Sequence, residues 1–177
     1  MIKLRDIINE IKVNNPVVDA VGVTVKGVMV KFEISQNLKI HADRRKLKSL
    51  KVYNKNVETI FCGNNKLTQL DISNLPNLEY IHGSNNNITK LDTSNNLKLI
   101  NLSLDKNDLT ELDLSNNPNL DSLSVNHNKL TELDLSNNPN LGSLYCMKNN
   151  LTELDISNNP KLKGLYADKD KVKITKG

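Results

Sequence analysis

Apolar residues recur along this chain at a fixed long step. Leu67, Ile88, Leu109, Leu130 and Leu151 stand 21 residues apart, a copy one residue shorter begins at Leu47, and Val172 falls where another would begin. Each copy carries the pattern twice: Leu130-x-x-Leu133-x-Leu135 before Asn138-Pro139, then Leu141-x-x-Leu144-x-Cys146 before Asn149. In L-x-x-L-x-L the last two apolar residues are two apart, so both face the same side of an extended segment; each half-copy predicts a short strand with one side in the core. An Asn follows where the chain must turn, and its amide can donate to and accept from backbone groups that the bend leaves unpaired. Two asparagine ladders are predicted, one reading Asn65, Asn86, Asn107, Asn128, Asn149 and then Asp170, the other Leu75, Asn96, Asn117, Asn138 and Asn159. Pro76, Pro118, Pro139 and Pro160 follow the second, where a fixed φ and a missing donor suit a bend.

A 21-residue step repeated in register predicts coils stacked one upon the next. Six rungs about 4.8 Å apart make a rod roughly 25 Å long. Leu112, Leu133 and Leu154 should share one internal column, and strand patterning in both half-copies predicts parallel strands on both broad walls. The ends need caps. Residues 1–46 read as an α+β cap: Leu4, Ile7, Ile8 and Ile11 lie on one helical face that Asn14-Asn15-Pro16 ends, and Val21, Val23 and Val25 alternate, as do Val30, Phe32 and Ile34, as a hairpin about Lys26-Gly27 that Leu38 and Ile40 extend. Residues 47–171 are the six repeats, and 172–177 are a capping strand and tail carrying Val172 and Ile174.

Composition supports a stack over an aromatic-cored globule, with no Trp, two Phe and four Tyr among 177 residues. Charge is unevenly placed: residues 1–66 hold 13 Lys and Arg against 6 Asp and Glu, whereas residues 67–171 hold 9 against 14. The opening MIKLRDIINEIKV is charged throughout and reads as neither a secretory leader nor a membrane span, so a soluble cytoplasmic protein is expected.

These residues resemble the leucine-rich repeat, in particular its short bacterial 21-residue class with consensus LxxLxLxxNxLxxLDLxxN, sometimes called IRREKO. The likeness runs from about Leu47 to Lys171. It departs at Leu75, Thr93 and Leu97, where Asn, an aliphatic and Pro are expected, so the second and third copies should bend less regularly. The resemblance implies an α/β, mostly β, right-handed solenoid with ladders of parallel strands, and a role in recognition.

Candidate chemistry is sparse. No phosphate-binding loop, H-E-x-x-H, G-x-S-x-G, G-x-G-x-x-G or C-x-x-C is present, and His41, His82 and His127 have no spacing that suggests a triad or metal site. No catalysis, cofactor or metal is expected. Cys62 and Cys146 occupy the same inward position four rungs apart, about 19 Å by strand spacing, beyond the reach of a disulfide. Asn87-Ile88-Thr89, Asn101-Leu102-Ser103 and Asn150-Leu151-Thr152 match the glycosylation sequon only because Asn before Leu-Thr is built into the repeat. Asp71, Asp92, Asp113, Asp134 and Asp155 stack on one outward row; a cation such as Ca²⁺ or neighbouring hydroxyls would relieve their repulsion, and Ser73, Ser94, Ser115, Ser136 and Ser157, two residues on, favour the hydroxyls.

One half of each copy is nearly constant, L-T-E-L-D-[LI]-S-N-N-P, while the other keeps only its inward letters. Its outward site reads Phe61, His82, Ser103, Ser124, Tyr145 and Tyr166, with Tyr80 one row over. Individual side chains on a rigid sheet suit binding, and aromatics supply contact area at low entropy cost. The expected partner-binding residues are therefore Phe61, Tyr80, His82, Tyr145 and Tyr166, on a monomer that recognises a protein and no membrane. Two other readings stand beside it. One is a structural component of a bacterial or phage assembly; the other is nucleic-acid contact by the basic run Arg44-Arg45-Lys46-Leu47-Lys48-Ser49-Leu50-Lys51, placed near Phe61, which the acidic body disfavours.

Overall fold

The computed structural model describes residues 18–24, 29–33, 39–52 and 54–177. In chain order its strands are β1 (Val18–Thr24), β2 (Met29–Glu33), β3 (Lys39–His41), β4 (Leu47–Val52), β5 (Thr59–Phe61), β6 (Gln69–Asp71), β7 (Tyr80–His82), β8 (Asn101–Ser103), β9 (Ser122–Ser124), β10 (Ser143–Tyr145), β11 (Glu153–Asp155), β12 (Gly164–Tyr166) and β13 (Lys173–Thr175). No helix occurs among the described residues. The hairpin is present: β1 and β2 pair antiparallel, with Val23 opposite Met29 and Val21 opposite Lys31. The helix expected around Leu4–Ile11, the Lys26-Gly27 turn, Ile34 and Leu38 lie outside the described residues.

Seven strands, β3, β5, β7, β8, β9, β10 and β12, form one all-parallel sheet along the rod. Six steps of about 4.8 Å make this wall about 29 Å long. Its inward column, Ile40, Ile60, Ile81, Leu102, Leu123 and Leu144, is wholly buried, and Leu165 at its end is half-buried. Ile40 is thus the first rung of the ladder, paired with Ile60. β1 lies antiparallel to β4 and carries the hairpin onto the opposite wall.

The opposite wall departs from the expectation of strands throughout. It holds ladder pairs only at its ends, β4 with β6 and β11 with β13. The intervening L-T-E-L-D segments run without strand pairing. Leu112, Leu133 and Leu154 do form the expected internal column, but Leu112 and Leu133 keep 8% and 7% of their surface where Leu102 and Leu123 keep none. The Thr110 N–H reaches Thr89 only at 3.4 Å. Where strand pairing lapses, the leucine column on this wall thus keeps a little contact with water.

The bends are held by asparagine amides. Asn107 accepts the Ile88 N–H on Oδ1 at 3.0 Å and donates from Nδ2 to the carbonyls of Gly83 (3.1 Å) and Leu104 (3.0 Å). Asn86, Asn128 and Asn149 repeat the arrangement one coil at a time. Each amide joins three backbone groups from two coils, and in each coil the residue before it, Asn64, Asn85, Lys106, His127 or Lys148, is left-handed at φ between 53 and 60°. An L residue there is strained, and the hydrogen bonds on either side hold it.

The second ladder donates to two carbonyls per coil, as Asn138 does to Leu114 and Asn117. Its buried Oδ1 atoms at Asn96, Asn138 and Asn159 accept nothing, whereas that of Asn117 accepts the Thr93 hydroxyl at 2.8 Å. Thr93 therefore supplies a donor where the other coils place an aliphatic side chain. The second and third copies bend as the others do: the N–H groups of Leu75, Asn96, Asn117, Asn138 and Asn159 each reach the carbonyl three residues back at 3.0 to 3.1 Å. Leu97, standing for Pro, is exposed and free to take the same turn.

Both cysteines are free and buried. They share one column, separated by Gly83, Leu104 and Val125. Burial, with Asp43 adding to it, pushes the Cys62 thiol up to about 12; burial, with Asp168, pushes Cys146 to about 11. Neither thiol should react with a disulfide reagent at pH 8 in the folded protein, and both should react in denaturant without reductant. Asn107→Leu, which strands an amide and two carbonyls, should lower unfolding free energy by about 3 kcal/mol or more, read from urea melts at constant slope.

Candidate functional site

The seven-stranded wall presents two outward columns. The first residue of each strand contributes Lys39, Thr59, Tyr80, Asn101, Ser122, Ser143 and Gly164, and the third His41, Phe61, His82, Ser103, Ser124, Tyr145 and Tyr166. Parallel pairing sets each third-position residue beside its equivalent on the next rung: Phe61 beside His82, His82 beside Ser103, and Tyr145 beside Tyr166. Rings at one rung spacing can stack, and they do. His41 and Phe61 have centroids 4.8 Å apart with planes within 7°, Phe61 and His82 4.7 Å and 4°, and Tyr145 and Tyr166 4.5 Å and 3°. Two aromatic stacks, of three rings and of two, are separated by the rungs of Ser103 and Ser124.

All five residues singled out from the sequence lie on this wall. Phe61 and His82 belong to one stack, Tyr145 and Tyr166 to the other, and Tyr80 stands in the neighbouring column, exposed. His41 was missed because it fell within the segment read as cap; its signal is Lys39-Ile40-His41, which matches Thr59-Ile60-Phe61 at an offset of 20.

The margin beyond the third-position column is tied by side-chain acceptors reaching from rung to rung. Asp43 Oδ1 accepts the Gly63 N–H at 2.6 Å, Asp105 Oδ1 the Asn126 N–H at 2.7 Å, Asn126 Oδ1 the Met147 N–H at 2.8 Å, and Asp168 Oδ2 the Lys148 N–H at 2.6 Å. Ser124 also donates its hydroxyl to Asp105 Oδ1 at 2.7 Å. His82 is pushed below its usual range by burial, with Asp43 opposing, so its ring is neutral at pH 7. Although His82 neighbours Ser103, the Ser103 hydroxyl lies 3.0 Å from that of Ser84.

The lysines of the basic run that follow Leu47 do not join this surface. Lys48 and Lys51 lie on β4, in a different sheet from Phe61 on β5, and Lys51 pairs with Asp71 at 2.6 Å. The expectation of lysines beside Phe61 is corrected accordingly: the two half-copies of the first coil sit on opposite walls.

Asp71, Asp92, Asp113, Asp134 and Asp155 line the opposite wall. The backbone N–H of Ser94, Ser115, Ser136 and Ser157 donates to the aspartate two residues back at 2.8 to 3.0 Å. Ser73 does so at 3.3 Å and adds its hydroxyl at 2.7 Å. The serine bonds hold Asp92, Asp113, Asp134 and Asp155 below the usual carboxylate range, against repulsion between neighbours at Asp113 and Asp134; Asp71 is lowered first by Lys51 and then by Ser73. Among the described residues no group of three or more His, Cys, Asp or Glu is placed to hold a metal ion.

A carboxyl lowered in the folded state stabilises the fold above its unfolded pKa, near 3.9, and that contribution is lost as pH falls through the lowered value. Stability should therefore ease downward from about pH 7 to 5, as the unfolded chain takes up a proton that buried His82 resists, and fall further below about pH 4 as these carboxyls titrate. Asp134→Asn keeps an acceptor for Ser136 and should make the acid-side fall shallower, as read from urea midpoints across that range.

Several solved structures are similar to this chain, among them three bacterial proteins. The functional domain of InlJ from Listeria monocytogenes is 38% identical, with a TM-score of 0.67 over 69% of this chain and 28% of that one. YopM from Yersinia enterocolitica WA-314 is 27% identical, with a TM-score of 0.57 over 72% and 27%. A leucine-rich-repeat protein of Leptospira interrogans is 22% identical, with a TM-score of 0.59 over 70% and 38%, a likeness of fold alone. The chain thus spans between about a quarter and two fifths of their lengths. The InlJ domain includes a cysteine ladder; here the two cysteines of the shared column stand apart, with Gly83, Leu104 and Val125 between them. No protein-family model matches the sequence, and no curated protein is similar to it. The in-register 21-residue copies and the parallel wall they build, taken with these likenesses, make this chain a leucine-rich-repeat protein of the bacterial solenoid type.

Proposed function

We propose that the chain is a non-catalytic, monomeric scaffold that recognises a protein partner through the seven-stranded wall. The observation that carries this reading is the contrast between walls. Outward letters on the opposite wall repeat almost unchanged and are used in its own turns, where the serines bond the aspartates. Those on the ladder wall differ from rung to rung and include two ordered aromatic stacks, with Tyr80 and Tyr166 exposed at 36% and 49%. Ordered rings pay little entropy on being covered, as suits the anchors of a binding surface. The likeness to the InlJ domain and to YopM supports a scaffold and names no partner.

The test uses a protein captured by the immobilised wild-type chain and then purified. The double substitution Tyr145→Ala and Tyr166→Ala should weaken its binding by about tenfold or more, the scale of lost interface anchors, as read by calorimetry. The melting temperature should shift by only a few degrees, because both rings lie outside the core. Unchanged affinity would remove this wall from consideration.

A further inference from the structure

The gap between the aromatic stacks has the form of a site. Three rung-to-rung steps lead from His82 to Tyr145, about 14 Å at ladder spacing. Each of these residues spends one ring face on its stacking partner, leaving the other toward the two serine rungs. The floor is polar, formed by Ser103 and Ser124 with Asn101 and Ser122 beside them, and all four are half-buried. Acids stand at both margins. Asp105 receives its bonds from Ser124 and Asn126 on Oδ1, which leaves Oδ2 for another donor. Asp121, at the start of the next rung, places its carboxyl over Gly142, where an added Cβ would lie 2.7 Å from Oδ1. Glycine at 142 thus leaves room for that carboxylate at the edge of the wall.

Two ring faces, a floor of hydroxyls and an acid at each margin are complementary to a planar cation. Guanidinium groups stack on aromatic faces and present donors to carboxylates, which ammonium groups do less well. Spacing sets the number. Alternate side chains of an extended segment are about 6.7 Å apart. Two of them centred in a gap of about 14 Å stand about 4 Å from each wall, which is stacking distance. Adjacent residues of such a segment point to opposite sides and cannot both enter.

We propose that this notch takes two arginine side chains, Arg-x-Arg, from an extended segment of the protein partner running along the rod, one against His82 and the other against Tyr145, with Asp105 and Asp121 receiving their charge. The assignment rests on the reading of this wall as a recognition surface and specifies the partner's chemistry.

The test uses the whole chain and labelled nine-residue peptides, read by fluorescence anisotropy. A Gly-Ser peptide carrying Arg-Ser-Arg should bind about tenfold more tightly than its Arg-Arg-Ser isomer or the Lys-Ser-Lys version, and Glu-Ser-Glu should not bind. Asp105→Asn retains the Oδ1 acceptor and should cost about tenfold in affinity. Ser124→Tyr, which extends the Tyr145–Tyr166 stack into the gap, should abolish binding with the fold intact by melting temperature. Equal binding of the two arginine isomers, indifference to Asp105→Asn and Ser124→Tyr, or no binding of any peptide would overturn the notch. The captured protein separates this outcome from failure of the wall itself. If it is lost on Tyr145→Ala with Tyr166→Ala but indifferent to Ser124→Tyr and to Arg-Ser-Arg competition, the wall stands and the notch falls; if it is indifferent to all of them, both fall.

Discussion

A bend leaves backbone groups without partners, and in a coil of 21 residues there are two bends to satisfy on every turn. The asparagine amide meets this constraint because it offers an acceptor and two donors on a short arm. At Asn107 all three are used, on groups from its own coil and the one before. The same side chain therefore closes the turn and fixes the distance to its neighbour. An unpaired buried polar group costs about 1 to 3 kcal/mol, so a coil displaced from its neighbour along the rod would forfeit several such bonds together. Leucine packing makes the stack favourable, and the amides set its register.

Register has a consequence on each wall. Where parallel strands pair on every rung, equivalent side chains are held about one rung apart, and planar residues in adjacent rungs fall into stacking distance without further design. The stacks of His41, Phe61 and His82 and of Tyr145 and Tyr166 follow from identity at a single position in each coil. On the opposite wall strand pairing lapses through the middle coils, and each turn is tied by a local bond between serine and aspartate. Rows of like charge are tolerable there because each carboxylate receives hydrogen bonds of its own and remains in water.

The solenoid was legible in the sequence because its information is periodic. A 21-residue step repeated five times leaves little freedom in which leucines share a column, and the placing of Asn before each return predicted both amide ladders. The β1–β2 hairpin was legible from alternation alone. What could not be read was how the two walls would divide the pairing, since both half-copies carry the same strand pattern. The reach of the ladder to Ile40 was hidden for a related reason: Lys39-Ile40-His41 has the right letters but lacks the preceding repeat that would have marked it. Thr93 read as a defect from the pattern and is instead the donor to Asn117, a relation across 24 residues that only coordinates reveal. Phe61, His82, Tyr145 and Tyr166 were recognisable as a group, but their division into two stacks about a polar gap depends on ring orientation, which spacing does not determine.

The arrangement separates stability from specificity within a few residues of one another. In Ser103-Leu104-Asp105-Lys106-Asn107 the leucine fills the core and the asparagine closes the bend, while the serine faces outward on the ladder wall and the aspartate spans to the next rung. Because each coil contacts only its neighbours, a change at an outward position is felt by the rungs on either side and not by the stack as a whole. Aromatic letters placed in adjacent rungs cover one another, and those placed next to serine leave a face open. The order of letters along the column, more than their number, thus decides which ring faces stay open, and a chain with the same rings distributed on alternate rungs would present several single faces and no gap between two stacks.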